Sequence, residues 1–239
     1  MIQLGGEPVS SDDELRNLYQ TRLAELGFCP EMMFYRDKNQ HELKLLAIAE
    51  QLRLLQAGAP MSLLEIGCGY GELARFYTST GDYLGIDIVP EFVSEAKERN
   101  PGLSYMEKSA FETDISQFDV CVLPGVLSGV PDSPGLLKRA LQLSRRYIVF
   151  DVTLSNRLPS SFSSLFRWDS NELASLLNGE GFASVRVLDM GRSWVVLTAS
   201  RVTLSAVSPS FRPCIGVRRA TGDGSEKRRR TLYRDSPHL

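Results

Sequence analysis

The first part of the chain carries apolar residues at helical spacing. From Asp12 to about Gln56 they recur every three or four positions, as in ELKLLAIAEQLRLL. An amphipathic helix needs this spacing, because one of its faces is buried and the other is solvated. We therefore predict a helical N-terminal segment over residues 1–60, which serves as a lead-in or lid for the rest of the chain.

The period of the pattern changes after residue 60. Short, mostly apolar runs of a kind suited to strands buried on both faces now appear. These strand candidates are SLLEIG, YLGIDI, LSYMEK, FDVCVL and RYIVFDV. The helix candidates between them are YGELARFYTS, PEFVSEAKERN and SPGLLKRALQLS. Alternation of strands and helices predicts a parallel sheet with right-handed crossover connections.

The pattern ends differently, in two adjacent strand-like runs. After the helix candidate SNELASLLNGEG, the runs FASVRVLDMG and RSWVVLTASR meet at Gly191. Two strands with so short a connection form a hairpin, so the sheet is expected to end antiparallel. The prediction is a doubly wound, mostly parallel α/β domain over residues 61–201, with a C-terminal antiparallel hairpin and an N-terminal helical segment.

Charge is distributed unevenly along the 239 residues. The whole chain carries a formal charge of −2, but the residues from Arg201 onward hold nine basic and three acidic side chains. Residues 1–200 therefore hold 18 basic and 26 acidic side chains. The stretch 202–239 is rich in Ser, Gly, Pro and Arg and lacks an apolar period, so we predict a basic, largely disordered tail. Such a tail is either a solvated extension or a contact for nucleic acid.

The composition also predicts where in the cell the protein is located. The sequence has no run of about eighteen apolar residues and no signal-peptide pattern, so we expect a soluble, cytoplasmic protein without membrane contact. The four cysteines are widely separated and form no C-x-x-C pair. Neither a metal site nor a disulfide framework is therefore expected.

A glycine-rich turn follows the first strand candidate. Gly67, Gly69 and Gly71 form G-x-G-x-G, which lets the backbone turn sharply and lets a ligand approach closely. A dinucleotide fingerprint has Gly or Ala at the next position, where this chain has Glu72. A carboxylate beside a pyrophosphate is unfavourable, which disfavours NAD and FAD. The lack of G-K-[ST] excludes a P-loop.

An acid at the end of the second strand candidate adds to this pattern. Asp87 lies about twenty residues beyond the turn, where a carboxylate can accept the two hydroxyls of a ribose. Glu65 places a further acid inside the first strand. Such a site suits an adenosine ligand with cationic groups better than one with phosphates.

These motifs resemble those of the class I S-adenosylmethionine-dependent methyltransferases, which have a Rossmann-like fold. LLEIGCGYGELA is similar to their first motif, YLGIDIVPEFVSEAKER to their second, and FDVCVLPGVLS to the strand and loop beside the methionine moiety. The resemblance extends from about residue 60 to residue 200. More weakly, YQTRLAELGFCPEMMFYRDKNQHELKLL resembles the helical lead-in of bacterial members that act on small molecules.

The resemblance implies S-adenosylmethionine as the cofactor and a set of residues around it. The turn would surround the methionine portion, Asp87 would bind the ribose, and Ile88 would flank the adenine. One departure is Ser109, where many family members have Asp; a hydroxyl is a weaker acceptor for the adenine amine. The implied cofactor-binding residues are Glu65, Gly67, Cys68, Gly69, Gly71, Asp87, Ile88, Ser109, Ala110, Phe111, Leu123, Pro124 and Gly125.

Residues that contact the methyl acceptor are harder to assign, and no catalytic residue is named. His41 is a candidate base, but a histidine on a polar helical face is expected to be exposed. Lys44 is a candidate for binding the cofactor carboxylate, but it is likewise expected to be an exposed helical lysine. Asp151 suits either a functional role or a cap for the following loop. The candidates are Tyr19, Phe34, Tyr35, His41, Leu127, Asp151, Arg157, Phe162 and Trp168. For Phe162, Phe166 and Trp168, lid and core are weighed equally.

The acidic balance of residues 1–200 disfavours a nucleic-acid acceptor. An Asn-Pro-Pro-Tyr-like loop, implied by resemblance for many DNA adenine enzymes, is replaced here by LPGVLS. We therefore expect a small molecule or a peptide as acceptor. Two alternatives stay open: a cofactor-binding regulatory or scaffold subunit without activity, and a nucleic-acid methyltransferase assisted by the tail. The sequence does not indicate an oligomeric state.

Overall fold

The structure is a computed structural model of the 239-residue chain. It describes residues 3–4, 7–29, 31–34, 38–56, 59–77, 81–155, 167–191 and 194–201. The predictions for Tyr35, Arg157, Phe162, Phe166 and the tail at 202–239 lie outside these residues.

The N-terminal segment contains two helices. A short ladder pairs β1 (Gln3–Leu4) with β2 (Glu7–Pro8) and precedes α1 (Asp12–Leu26) and α2 (Lys38–Gln56). Helix α1 begins at a capping serine, because the Ser11 hydroxyl accepts a hydrogen bond from the Glu14 amide at 3.2 Å. It ends at Gly27, whose φ of 67° favours glycine. The helical prediction for this segment is confirmed, with a break between the two helices.

The strands after residue 60 form one sheet, and every strand candidate is found in it. In chain order they are β3 (Leu63–Ile66), β4 (Tyr83–Asp87), β5 (Ser104–Glu107), β6 (Phe118–Leu123), β7 (Ser144–Thr153), β8 (Ser184–Gly191) and β9 (Trp194–Ser200). Their spatial order is β5-β4-β3-β6-β7-β9-β8. The first five are parallel, and β9 runs antiparallel to both β7 and β8. The predicted mixed α/β architecture is confirmed.

Three of the four helices predicted after residue 60 are present. They are α3 (Pro90–Arg99), α4 (Ser133–Leu143) and α5 (Ser170–Gly179). The helix predicted over YGELARFYTS is wrong: in the described part of this run, which ends at Tyr77, the chain forms a 3-10 turn at Leu73–Arg75. The aromatic, Thr and Ser residues of this run have low helix propensity. In addition, the Arg53 guanidinium donates to the Phe76 carbonyl, which satisfies that group without another helical turn.

Alternate residues of the central strands pack on opposite faces of the sheet. Leu64 and Ile66 belong to the core beneath α4 and α5, whereas Leu63 belongs to the core beneath α2 and α3. This alternation follows from the two-residue period of a strand. The sheet is therefore covered on both faces, and its carboxyl edge is the place where parallel α/β folds bind ligands. None of the helices in the described part of the chain combines the length and apolar character needed to cross a bilayer.

Candidate functional site

A cavity of about 280 Å³ lies at the carboxyl edge of the sheet. Its walls come from the turn after β3, the end of β4, the loop after β5, the loop after β6 and the beginning of α1. The residues that line it are Ser10, Ser11, Asp12, Leu15, Tyr19, Met33, Ile66, Gly67, Ile86, Asp87, Ile88, Phe92, Lys108, Ser109, Ala110, Phe111, Pro124, Gly125, Val126, Gly129, Val130, Pro131, Asp132 and Leu136.

The turn after β3 requires glycine at its first position. Gly67 has a φ of 69°, and its amide donates to the Ile86 carbonyl at 2.8 Å. A Cβ at this position would lie only 2.4 Å from Cγ2 of Val126, whose branched side chain has little rotamer freedom. The missing side chain therefore keeps this wall of the cavity open and lets backbone face a ligand.

Asp87 is a buried carboxylate with a fixed orientation. It ends β4, and its Oδ2 accepts the Gly69 amide at 2.9 Å while its Oδ1 accepts the Val89 amide at 3.0 Å. Burial raises the pKa of Asp87 to about 6, although the backbone amides of Val89, Gly69 and Ile88 act in the opposite direction. A carboxylate has about four acceptor positions, so its two oxygens can still accept hydrogen bonds from a ligand in the cavity.

The loop after β5 forms another wall. The Arg139 guanidinium of α4 donates to the Ala110 carbonyl at 3.0 Å and to the Glu112 carbonyl at 2.9 Å. The Ser109 amide donates to Glu112 Oε1 at 2.8 Å, and the Ser109 hydroxyl donates to Asp12 Oδ2 at 2.9 Å. The loop after β5 is thus held by hydrogen bonds to α4 on one side and to α1 on the other.

Sequence reasoning missed most of the N-terminal wall. Of that wall it named only Tyr19, yet Ser10, Ser11, Asp12 and Leu15 also line the cavity. Helix α1 is docked there because Arg16 Nε donates to the Ile88 carbonyl at 2.7 Å. The S-x-x-E capping pattern gives a signal for the beginning of a helix. It gives no signal that this helix end faces a cavity whose other walls lie far along the sequence.

The structure brings most of the predicted cofactor residues together. Eight line the cavity, namely Gly67, Asp87, Ile88, Ser109, Ala110, Phe111, Pro124 and Gly125. The other five implied residues are not among the described residues that line it. They are Glu65, Cys68, Gly69, Gly71 and Leu123.

Glu65 is held by a neighbouring strand. Its side chain is 2% exposed, and the Tyr83 hydroxyl donates to its Oε2. Burial raises the pKa of Glu65 to about 8, so the carboxyl is mostly protonated at neutral pH. A neutral acid inside the sheet supports the strand pairing of β3 and β4 and adds no charge to the cavity.

The candidate acceptor contacts fall in different environments. Tyr19 lines the cavity, and its ring packs edge-on against Phe34 and Phe92. Leu127 and Trp168 are buried in the core beneath α4 and α5, which settles the choice between lid and core for Trp168. Of the candidates for acceptor contact, these two therefore fill the core with their apolar surfaces.

The exposed positions predicted for His41 and Lys44 are wrong as well. Both side chains are buried, at 6% exposure. His41 Nε2 lies 2.7 Å from Glu72 Oε2, and Lys44 Nζ lies 3.0 Å from Asp151 Oδ2. These residues lie one helical turn apart on α2, so both reach the edge of the sheet.

Asp151 connects three parts of the site region. Besides Lys44, it accepts the Gly125 amide at 2.5 Å and the Trp194 indole N–H at 2.9 Å. Lys44 Nζ also lies 4.8 Å from the centre of the Trp194 ring. Asp151 therefore fixes the cavity-lining Gly125, helix α2 and strand β9 relative to one another.

Comparison with known proteins agrees with this geometry. A family profile described as "Methyltransferase domain" matches residues 38–191, more than half of the chain. The chain is 26% identical over 166 residues to the 18S rRNA (guanine-N(7))-methyltransferase of Bos taurus and covers 53% of that protein. The chain spans about half or less of the length of the curated relatives that it matches.

Solved structures show the same fold. Magnesium protoporphyrin IX methyltransferase of Synechocystis PCC 6803, with bound S-adenosylmethionine, superposes with a TM-score of 0.59 at 15% identity, covering 81% of this chain and 99% of that one. The 1,6-didemethyltoxoflavin-N1-methyltransferase of Burkholderia thailandensis superposes with a TM-score of 0.55 at 18% identity, covering 81% and 91%.

The chain belongs to the methyltransferase domain family. Its fold is that of the class I S-adenosylmethionine-dependent methyltransferases, with the mostly parallel seven-stranded sheet and antiparallel C-terminal hairpin described above.

Proposed function

We propose that this chain transfers a methyl group from S-adenosylmethionine to a small-molecule acceptor. The observation that carries the proposal is the cavity that joins the Gly67 turn to the oriented carboxylate of Asp87. Its volume is near the lower limit of about 300 Å³ for small-molecule pockets, which suits one cofactor-sized ligand.

The residues around the cavity fit the cofactor. Gly67 leaves its wall open where a Cβ would meet Val126, so the methionine portion can pass close to the backbone. Asp87 would accept the two ribose hydroxyls with its remaining lone pairs. Ile88, Ala110 and Phe111 would enclose the adenine. Pro124 and Gly125 would lie beneath the cofactor.

The chemistry places modest demands on the protein. S-adenosylmethionine supplies a methyl group that is already activated by a positive sulfur. The protein's residues hold the cofactor and the acceptor in line and exclude water, which accounts for much of the acceleration in such displacements. Fixing Gly125 through Asp151, and the turn after β3 through Asp87, gives the walls the rigidity that alignment requires.

Two observations favour a small-molecule acceptor. The acidic balance of residues 1–200 opposes the approach of a phosphate backbone. Two similar folds belong to enzymes named for magnesium protoporphyrin IX and for 1,6-didemethyltoxoflavin, both small molecules. A peptide acceptor is the nearest alternative on the same charge argument.

A ribosomal RNA acceptor is the second candidate. The Bos taurus relative is named for guanine methylation in 18S rRNA, and the stretch from Arg201 onward is basic. This candidate predicts RNA binding that weakens steeply with salt and is lost when residues 207–239 are removed.

The class of methyl acceptor can be tested by following a radioactive methyl group from the cofactor to its product. The full chain is incubated with S-adenosylmethionine carrying a tritiated methyl group and a cell extract, which is then separated into small-molecule, protein and RNA fractions. We expect label in the small-molecule fraction, with an Asp87→Ala variant as the inactive control. Label confined to RNA would favour the second candidate instead.

The same experiment separates an enzyme from a cofactor-binding subunit. A subunit without activity would bind S-adenosylhomocysteine, yet it would leave no label in any of the three fractions. It would also co-purify at fixed stoichiometry with an active partner. The proposal of enzymatic activity fails if both of these results are obtained.

A further inference from the structure

A hydrogen bond between two distant segments lies at one wall of the cavity. The Ser109 hydroxyl, in the loop after β5, donates to Asp12 Oδ2, at the beginning of α1, over 2.9 Å. Both residues line the cavity, and both side chains are partly buried. The pair therefore presents acceptor groups beside the apolar side chains of Ala110, Val130 and Leu136, on a wall to which Ser11 and Lys108 also contribute.

Each partner is held in place by contacts of its own. Helix α1 is docked on the turn after β4, where Arg16 Nε donates to the Ile88 carbonyl at 2.7 Å and Gln20 donates to Glu91 at 2.8 Å. The loop after β5 is held by Arg139 of α4 through the Ala110 carbonyl. The two segments thus reach the same wall independently, and the Asp12–Ser109 contact does not have to create that position.

The order of the strands indicates which part of a ligand would meet this wall. Strand β4 lies between β3 and β5 in the sheet, so the end of β4 separates the Gly67 turn from the Ser109 loop. With a ribose on Asp87 and the methionine portion beside Gly67, the base of the nucleoside extends toward Ser109. The apolar side chains there suit a flat aromatic ring, and Asp12 and Ser109 lie at its polar edge.

Toward a ligand, the Asp12–Ser109 pair offers hydrogen-bond acceptors and no donor. A carboxylate is an acceptor only, and the Ser109 hydroxyl directs its single proton to Asp12. The Ser109 oxygen also accepts the Phe111 amide at 3.4 Å, and the lone pairs that then remain, mainly on Asp12, can accept hydrogen bonds from a ligand. A base edge with an amino group matches this pattern, whereas a carbonyl at the same place would face a negatively charged acceptor.

We propose that Asp12 and Ser109 together read the exocyclic amino group of adenine, with the N-terminal helix supplying the charged acceptor. This inference rests on the proposed function, because it assumes an adenosyl cofactor in the cavity. It assigns to α1 a role in cofactor specificity in addition to its role in covering the site.

The test compares S-adenosylhomocysteine with S-inosylhomocysteine, its deaminated analogue, by calorimetric titration of the full chain. The two ligands differ at the base edge, where the amino group at C6 of one is a carbonyl in the other and N1 gains a proton. We expect the wild type to prefer S-adenosylhomocysteine by about tenfold or more, since hydrogen bonds to charged groups have effects of this size. In Asp12→Asn the amide can donate to the carbonyl, and the preference should fall below about threefold.

Asp13→Asn is the matched control. Asp13 lies in the same first turn of α1 but is exposed and pairs with Arg16, so the same chemical change alters the helix end without touching the cavity. The control should keep the wild-type preference. A Ser109→Asp change in the Asp12→Asn background returns a carboxylate from the opposite side and should restore the preference.

The possible results distinguish failure of the Asp12–Ser109 inference from failure of the proposed cofactor. A wild type without preference for the amino ligand overturns the inference, as does an Asp12→Asn variant that weakens both ligands equally, because Asp12 would then only fasten α1. A wild type that binds neither ligand refutes the proposed cofactor itself, and the inference with it.

Discussion

At the scale of single residues, two buried acids beside the same turn have opposite environments. Backbone amides donate to Asp87, and its pKa is raised by burial only to about 6. Glu65 receives one bond from a tyrosine hydroxyl, and burial raises its pKa to about 8. At neutral pH one acid is therefore charged and available to a ligand, while the other is mostly neutral and structural.

The first prediction concerns Asp87 and ligand affinity. A ribose that donates to the carboxylate lowers its pKa below the value of about 6 in the free protein, so binding releases a proton below that pH. Affinity for S-adenosylhomocysteine should be constant near pH 7 and fall toward a limit of about tenfold per unit below pH 6. Calorimetry from pH 5 to 7.5 measures this profile. A flat profile in the wild type, or an unchanged slope in Asp87→Asn, would contradict the assignment.

The second prediction concerns Glu65 and stability. Its folded pKa lies above its unfolded value of about 4.5, so the stabilisation is complete below pH 4.5 and is lost as the pH rises through 8. Near pH 7 the unfolding free energy of the wild type should fall relative to Glu65→Gln by about 1.4 kcal/mol per pH unit. Urea unfolding of both proteins at pH 6.5 and 7.5 gives the difference. Parallel pH profiles would show that Glu65 does not titrate in this way.

At the scale of secondary-structure elements, α2 is fastened to the sheet edge by two buried polar contacts. His41 meets Glu72, just after the glycine turn, and Lys44 meets Asp151 at the carboxyl end of β7. The two contacts lie one helical turn apart. They position α2 against the turn after β3 and the strand that anchors Gly125, so the helix supports the cavity without lining it.

The third prediction follows from the buried pair. Lys44→Met leaves Asp151 without its cation in a buried site, and the unfolding free energy should fall by about 3 kcal/mol. Lys138→Met is the control, because Lys138 is 57% exposed and lies 4.0 Å from Glu180; its effect should stay within about 0.5 kcal/mol. Denaturant unfolding compares the two variants. Equal effects would mean that the Lys44–Asp151 pair does not stabilise the fold.

The elements also show what the sequence could predict and what it could not. Strand candidates were recognisable because buried strands are short apolar runs, and the turn with Asp87 was recognisable because its spacing is local. Lys44 and His41 were misjudged because helical periodicity does not reveal that a polar side chain meets a partner on the sheet edge. Asp12 was missed because its contact with Ser109 spans 97 residues, a distance that no local pattern encodes.

At the scale of the whole molecule, charge divides the chain into two parts. Residues 1–200 hold the acidic excess and contain all seven strands of the described sheet, whereas the residues from Arg201 onward hold a basic excess. Strand β9 already pairs with both β7 and β8, so it has no free edge for a further strand.

The fourth prediction concerns removal of this stretch. We expect a chain truncated before Val207 to keep its melting temperature and its affinity for S-adenosylhomocysteine, because the sequence beyond lacks an apolar period. Limited trypsin treatment of the full chain should first cut the Arg-rich end and leave a core of about two hundred residues. A large fall in melting temperature on truncation would show that the tail packs on the domain.

The most direct measurement for the account as a whole is a calorimetric titration of the full chain with S-adenosylhomocysteine and, separately, with NAD. We predict binding of S-adenosylhomocysteine at one site per chain and weaker or absent binding of NAD, because Glu72 follows the turn where a pyrophosphate would lie. Asp87→Ala should weaken the first interaction by about 1–3 kcal/mol. Tighter binding of NAD, or no binding of S-adenosylhomocysteine, would contradict the proposed cofactor.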